Sequence, residues 1–120
     1  NKGFAPKGAS PVNPYFLEKN MKNFRTFNQA VEFYHSCLRL KLSADTRDQL
    51  LRAARSIALN LAEGSGRRTL KDQRRFFNIA FASLRECQAV LDLACIKESK
   101  EISLADKLAA HTYKLIKALE

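Results

Sequence analysis

The 120-residue sequence predicts an all-α fold, an antiparallel up-down-up-down four-helix bundle. Three observations predict it. Four segments repeat apolar residues at helical spacing, i, i+3, i+4 and i+7. No segment alternates with period two over a useful length, so no strand is expected. The breaks between segments are about three to six residues long, which forces neighbouring helices to run antiparallel.

Residues 1–20 stand apart from this pattern. They hold Pro6, Pro11 and Pro14, and Gly3 and Gly8, with no helical period, so a flexible or extended arm is expected there. Met21 is the sole methionine and opens the periodic part, residues 21–120. Two readings stand: Met21 is the native start and the arm is an addition, or the arm is a genuine basic tail.

The first helix is expected from Phe24 to Leu40. Phe27, Val31, Tyr34 and Leu38 lie on one helical face, with Phe33, Cys37 and Leu40 as a second stripe beside it. The second helix is expected from Ala44 to Glu63, with Ser43 as N-cap and Asp45 in its first turn. Leu50, Leu51, Ala54, Ile57, Ala58 and Leu61 form its stripe, and Gly64 and Gly66 offer a left-handed stop.

The third helix is expected from Leu70 to Lys97, capped by Thr69 with Asp72. Its core face reads Phe76, Phe77, Ala80, Phe81, Leu84, Cys87, Leu91, Ala94 and Cys95. The fourth is expected from Leu104 to Leu119, entered by Ser103 and Asp106, with Leu104, Leu108, Leu115 and Leu119 inward.

Hydrophobic residues make up 46% and charged residues 28%, enough apolar content for a packed core. No apolar run approaches the roughly 20 residues that span a membrane, and no secretory h-region opens the chain. A cytoplasmic protein without membrane association is the expectation. Cys37, Cys87 and Cys95 are odd in number and form no C-x-x-C pair, so buried free thiols are expected rather than disulfides or a zinc site.

Charge is the strongest bulk signal. Twenty-one Lys+Arg oppose twelve Asp+Glu, a net charge of +9 that attracts polyanions, nucleic acid above all. Arg47, Arg52, Arg55, Arg67, Arg68, Lys71, Arg74 and Arg75 concentrate it, opposed only by Asp48, Glu63 and Asp72. Arginine suits bidentate phosphate contacts, and the start of the third helix adds its dipole and free N–H groups. No aromatic residue interleaves the patch as read, so backbone contact rather than base stacking is expected.

Catalytic signals are weak. The Gly64-Ser65-Gly66 turn lacks the Walker pattern and a preceding strand. Asn60, Glu63, Asn78, Arg85 and Glu86 are expected to form a structural polar network between the second and third helices. Glu63 with Glu86 is the one carboxylate pair on which a metal-dependent nuclease could rest, and no motif supports it. His35 and His111 sit on separate helices without a partner pattern. No catalytic residue, cofactor or metal is expected.

Apolar residues outside the core arcs point to self-association. Leu59 shares the outer face of Arg52 and Arg55, and Leu93 and Ile96 point away from the Leu84–Leu91 stripe. A neighbouring subunit would cover them, making a homo-oligomer.

The run Arg55 to Arg67, ending Asn60-Leu61-Ala62-Glu63-Gly64-Ser65-Gly66-Arg67, and the run Phe76 to Glu86 resemble the four-helix-bundle family of 23S ribosomal-RNA intervening-sequence proteins. That family is encoded within inserts of bacterial large-subunit ribosomal RNA genes and elsewhere as free-standing genes. It is similar to the accessory variability protein of diversity-generating retroelements. The resemblance covers Met21 to Glu120, and the opening Phe24 to Tyr34 fits the family's usual start. Ala58 and Leu59 depart from it where Pro and Ser are expected. The resemblance implies a ring-shaped homopentamer and no known enzymatic activity. For the retroelement relatives it implies a basic surface that binds nucleic acid and a reverse transcriptase. The resulting expectation is a nucleic-acid-binding scaffold, with RNA the expected ligand. The alternative is an adaptor whose basic face meets an acidic, polymerase-type protein.

Overall fold

The computed structural model describes residues 24–120, so the expected arm over residues 1–20 and the role of Met21 lie outside the described residues. Four α-helices follow one another: α1 Arg25–Leu38, α2 Ala44–Ser65, α3 Leu70–Leu93 and α4 Lys100–Ala118. Each packs against its neighbours in sequence, and α1 meets α4 to close a four-membered ring of helices.

Side-chain pairs set the register. Between α2 and α3, Gln49 reaches Glu86 at 3.5 Å, Ser56 meets Ser83 at 2.8 Å, and Gln73 donates to the Gly64 carbonyl at 3.0 Å. Numbers fall on one helix as they rise on the other, so the two run antiparallel. Gln29 with His111, and Ser36 with Glu101, show the same for α1 and α4. Gln88 with Asp106, and Arg74 with Leu119, show it for α3 and α4.

The core runs the length of the bundle. Phe33, Leu50, Ile57, Leu61, Leu84, Leu91 and Leu108 are fully buried, spaced by Ala30, Ala53, Ala54, Ala80 and Ala105. The small residues let the helices approach closely, and the branched ones fill the space between them. In α1 the structure buries Phe33 and Cys37 of the second stripe, together with Ala30, while Leu40, Phe27, Val31 and Tyr34 are half-buried and Leu38 is at the surface. An apolar arc this wide does not reveal which edge faces the axis. Thr26 and Ser36 share the buried edge, and Ser36 donates a hydrogen bond to the buried Glu101 carboxylate of α4.

Two helix ends differ from expectation by a full turn, the others by two residues at most. Helix α3 stops at Leu93 rather than Lys97. Cys95 adopts a left-handed φ of 63°, its N–H bonds the Asp92 carbonyl at 3.0 Å, and the Ile96 N–H bonds the Leu91 carbonyl at 2.9 Å. This pair of bonds is a Schellman stop built on a residue other than glycine. It carries Ile96 off the helical wheel and folds it against the core, while Cys95 is exposed rather than buried. Helix α4 starts four residues earlier than expected, because Ser99 rather than Ser103 caps it, accepting from the Ile102 N–H at 3.3 Å. Glu101 then lies in the first turn, where the helix dipole favours its charge. The Thr69 cap on α3 is present as read, accepting from the Asp72 N–H at 3.1 Å.

Cys37 and Cys87 are buried free thiols. Burial pushes the Cys37 thiol up to about 12, with Glu101 adding to it, and burial likewise raises Cys87. Both are therefore protonated and unreactive at neutral pH.

Candidate nucleic-acid interface

The α2–α3 turn is held by packing from both sides. Gly64 is not a left-handed stop. It lies inside α2 and is buried, because Phe77 and Phe76 of α3 pack directly on it. A Cβ on Gly64 would sit 2.7 Å from Phe77 Cε1 and 3.1 Å from Phe76 Cβ, so only glycine lets α3 approach this closely. Gly66 caps α2 with φ of −90°, a right-handed value open to any residue. Gln73, buried at 4% exposure, ties α3 to the Gly64 carbonyl, and Thr69 closes the first turn of α3.

This scaffold presents Arg67 and Arg75 together. The Arg67 guanidinium lies 4.6 Å from the Phe76 ring centroid, and that of Arg75 lies 4.5 Å from the same centroid. Arg67 also pairs with Glu63 at 2.7 Å, across a partly exposed surface. Each cation–π contact contributes about 0.5–1 kcal/mol at such a site, and an exposed ion pair about as little. Their larger effect is on order: two long side chains are held against one ring, so less entropy is lost when an anion binds. Phe76 is thus an aromatic residue inside the basic patch. Reading it as pure core hid this role. Its place one turn after Asp72 and beside Arg75 was the available signal.

The eight expected basic residues do not form one cluster. Arg68 and Lys71 are exposed beside Arg67 and Arg75 at the turn. Arg74 instead donates to the Leu119 carbonyl at 2.7 Å and closes the end of α4. Arg47 does the same for α1, donating to the carbonyls of Leu38 and Leu40 at 3.0 and 3.2 Å. Arg52 pairs with Asp48 at 2.8 Å on the outer face of α2, and Arg55 is exposed on that face. Phe24 meets Phe77 at 6.1 Å, so α1 and α3 begin at one end of the bundle, where α2 and α4 finish. That end carries Arg25, Arg67, Arg68, Lys71, Arg74, Arg75, Lys114 and Lys117 against Glu63, Asp72 and Glu120.

The expected polar network does not assemble. Asn60 donates to the Ser56 carbonyl and hydroxyl within its own helix, and Asn78 to the Arg74 carbonyl. Arg85 bonds Gln88, Glu63 bonds Arg67, and Glu86 accepts from Gln49. Asn60 and Asn78 are long enough to reach their own preceding turn, and that local bond wins over a cross-helix one. The α2–α3 register is set instead by Ser56 with Ser83 and by Gln73. Glu86 lies level with Gln49, fourteen residues before Glu63 on α2, which is about 21 Å along a helix. The two carboxylates therefore cannot share a metal ion. Among the described residues no group of three His, Cys, Asp or Glu is placed to hold one.

The family model for 23S rRNA-intervening sequence protein matches residues 21–120. The chain belongs to this family. The match covers every helix and the whole of the α2–α3 turn. No curated protein and no solved structure matches it. In this 23S rRNA-intervening sequence protein, Leu59 is 60% and Leu93 83% exposed, whereas Ile96 is half-buried against the core. Ile79 of α3 is also at the surface, at 39% exposure. The register places it level with Leu59, since Ser56 faces Ser83 and Gly64 faces Gln73. Among the described residues no helix is long and apolar enough to cross a membrane.

Proposed function

We propose that this protein is a non-enzymatic, cytoplasmic, homo-oligomeric scaffold that binds nucleic acid, RNA in particular, through phosphate contacts. The observation that carries this reading is the Arg67–Phe76–Arg75 arrangement, two guanidinium groups about 4.5 Å from one ring at the cationic end of the bundle. Arg68 and Lys71 extend the surface, and the first turn of α3 adds its N-terminal dipole. Arg52 and Arg55 lengthen it along α2. Arg47 and Arg74, already bonded to carbonyl groups, serve the fold. Contacts of this kind position a polyanion without reading its bases.

Self-association rests on the exposure of Leu59 and Leu93, apolar side chains whose coverage by a second copy would remove them from water. The resemblance to ring-forming relatives makes a pentamer the assembly to expect. Arg67→Glu with Arg68→Glu should weaken binding to several unrelated RNAs by a similar factor in fluorescence anisotropy. A loss confined to one sequence, or no loss, refutes phosphate-dominated binding.

A second reading is favoured by Leu59 and Ile79. They place an apolar strip beside Arg52 and Arg55, a mixture that also suits an acidic protein such as a reverse transcriptase or other polymerase-type enzyme. Protein that ignores RNA at low salt yet binds one acidic protein with defined stoichiometry would establish that reading instead.

A further inference from the structure

The α1–α4 face carries cations that the arginine surface of α2 and α3 does not include. His111 of α4 and Gln29 of α1 form a 2.7 Å hydrogen bond across the seam of the two helices. Lys107 and Lys114 lie four residues before and three after His111, one turn away on the same face. Arg25 lies one turn before Gln29 on α1. All three cations are exposed and act on the His111 ring, which burial first, then Arg25, Lys114 and Lys107, hold below the usual imidazole range. The acidic side chains of the two helices are mostly turned elsewhere. Glu101 is buried against Ser36, and Asp106 faces Gln88 of α3. Glu32, the one acidic residue of α1, is exposed three residues after Gln29 on the seam side, so it opposes part of this charge. In the ring of helices this seam lies opposite the α2–α3 pair.

Resting on the reading of the protein as an RNA binder, we infer that the groove between α1 and α4, lined by Arg25, Lys107, His111 and Lys114, is a second phosphate-contacting site. The cationic surface thus continues around one end of the bundle onto its opposite side, and a bound RNA touches both. Three fixed cations around a titratable ring gain from an anion placed among them, because it relieves their mutual repulsion. RNA in the groove also favours the protonated form of His111, so this contact strengthens as the pH falls.

His111 and His35 are the only histidines, and His35 is exposed on α1 away from the seam, which makes the ring resonances a local probe. Adding a labelled RNA hairpin to the full chain should move the His111 titration midpoint upward and leave the His35 resonances in place. Lys107→Glu with Lys114→Glu should weaken hairpin binding severalfold. Arg39→Glu with Lys41→Glu, an equal charge change at the other end of the bundle, should weaken it less. RNA binding that leaves His111 unmoved, or equal losses in the two double variants, would overturn the inference and leave the arginine surface standing. A His111 shift with polyglutamate but not with RNA would overturn it in favour of an acidic protein. Wild-type chain that binds no RNA would overturn both readings.

Discussion

Gly64→Ala is the sharpest test of how the α2–α3 turn is built. Alanine raises helix propensity by about 0.8–1.0 kcal/mol over glycine in a helix interior. Here the added methyl would lie 2.7 and 2.8 Å from two atoms of the Phe77 ring. That ring is 3% exposed and packs on Phe24, so it has no free volume to enter. Overpacking of this kind costs about 1–3 kcal/mol, sometimes more. The close contact therefore outweighs the propensity gain at all but the low end of that range, and a net loss of about 1–2 kcal/mol is expected. In a domain of this size about 1 kcal/mol moves Tm by about 4–8 °C. Gly66→Ala is the matched control. Its Cβ would meet only the Glu63 and Ala62 carbonyl oxygens at 3.7 and 3.8 Å, and its φ is −90°. It should be neutral or stabilising by up to about 1 kcal/mol, through a less flexible unfolded chain. Thermal melts followed by circular dichroism at equal protein concentration decide the matter. A Gly64→Ala melt at or above wild type, or equal losses at both positions, refutes the packing argument.

Other outcomes follow from single features. Phe76→Leu keeps an apolar side chain against Gly64 but removes the ring beneath Arg67 and Arg75. RNA affinity should fall severalfold in anisotropy while the melt changes little. Cys95→Gly relieves a left-handed residue and should stabilise by about 1 kcal/mol in urea unfolding. A thiol reagent should modify Cys95 quickly, and Cys37 and Cys87 only at the rate of unfolding, as peptide mapping would show. Because burial raises both inner thiols, unfolding releases their protons at alkaline pH. Their stabilising contribution is present below the ordinary thiol value of 9.0 and is lost progressively above it.

Much of the fold is legible in the residue pattern because it rests on local rules. Thr69 stands three residues before Asp72 and caps α3, and the Leu50–Leu61 stripe of α2 is narrow enough to define its inward face. The departures arise where two local readings compete. Helix α1 carries two apolar stripes, and only the position of α4 makes Phe33 and Cys37 the inner one. The α3 stop lacks glycine, so nothing in composition separates Cys95 from the helix before it. Ser99 and Ser103 both look like caps, and Glu101's burial against Ser36 settles on the first. The candidate site was legible as charge but not as geometry. Counting arginines cannot tell Arg47 and Arg74, which close helix ends, from Arg67 and Arg75, which share one ring. Gly64 was read for its conformational freedom, while its role is the absence of a side chain.

In the proposed function, phosphate contacts made by this basic surface hold nucleic acid. This is tested most directly by the slope of log K against log salt for RNA binding, for wild type beside Arg67→Glu with Arg75→Glu. Each phosphate contact contributes about 0.7–0.9 to that slope. A steep linear fall is expected for wild type, and a slope shallower by about 1.4–1.8 in the double variant. Binding that persists undiminished at high salt, or a double variant with the wild-type slope, would contradict it.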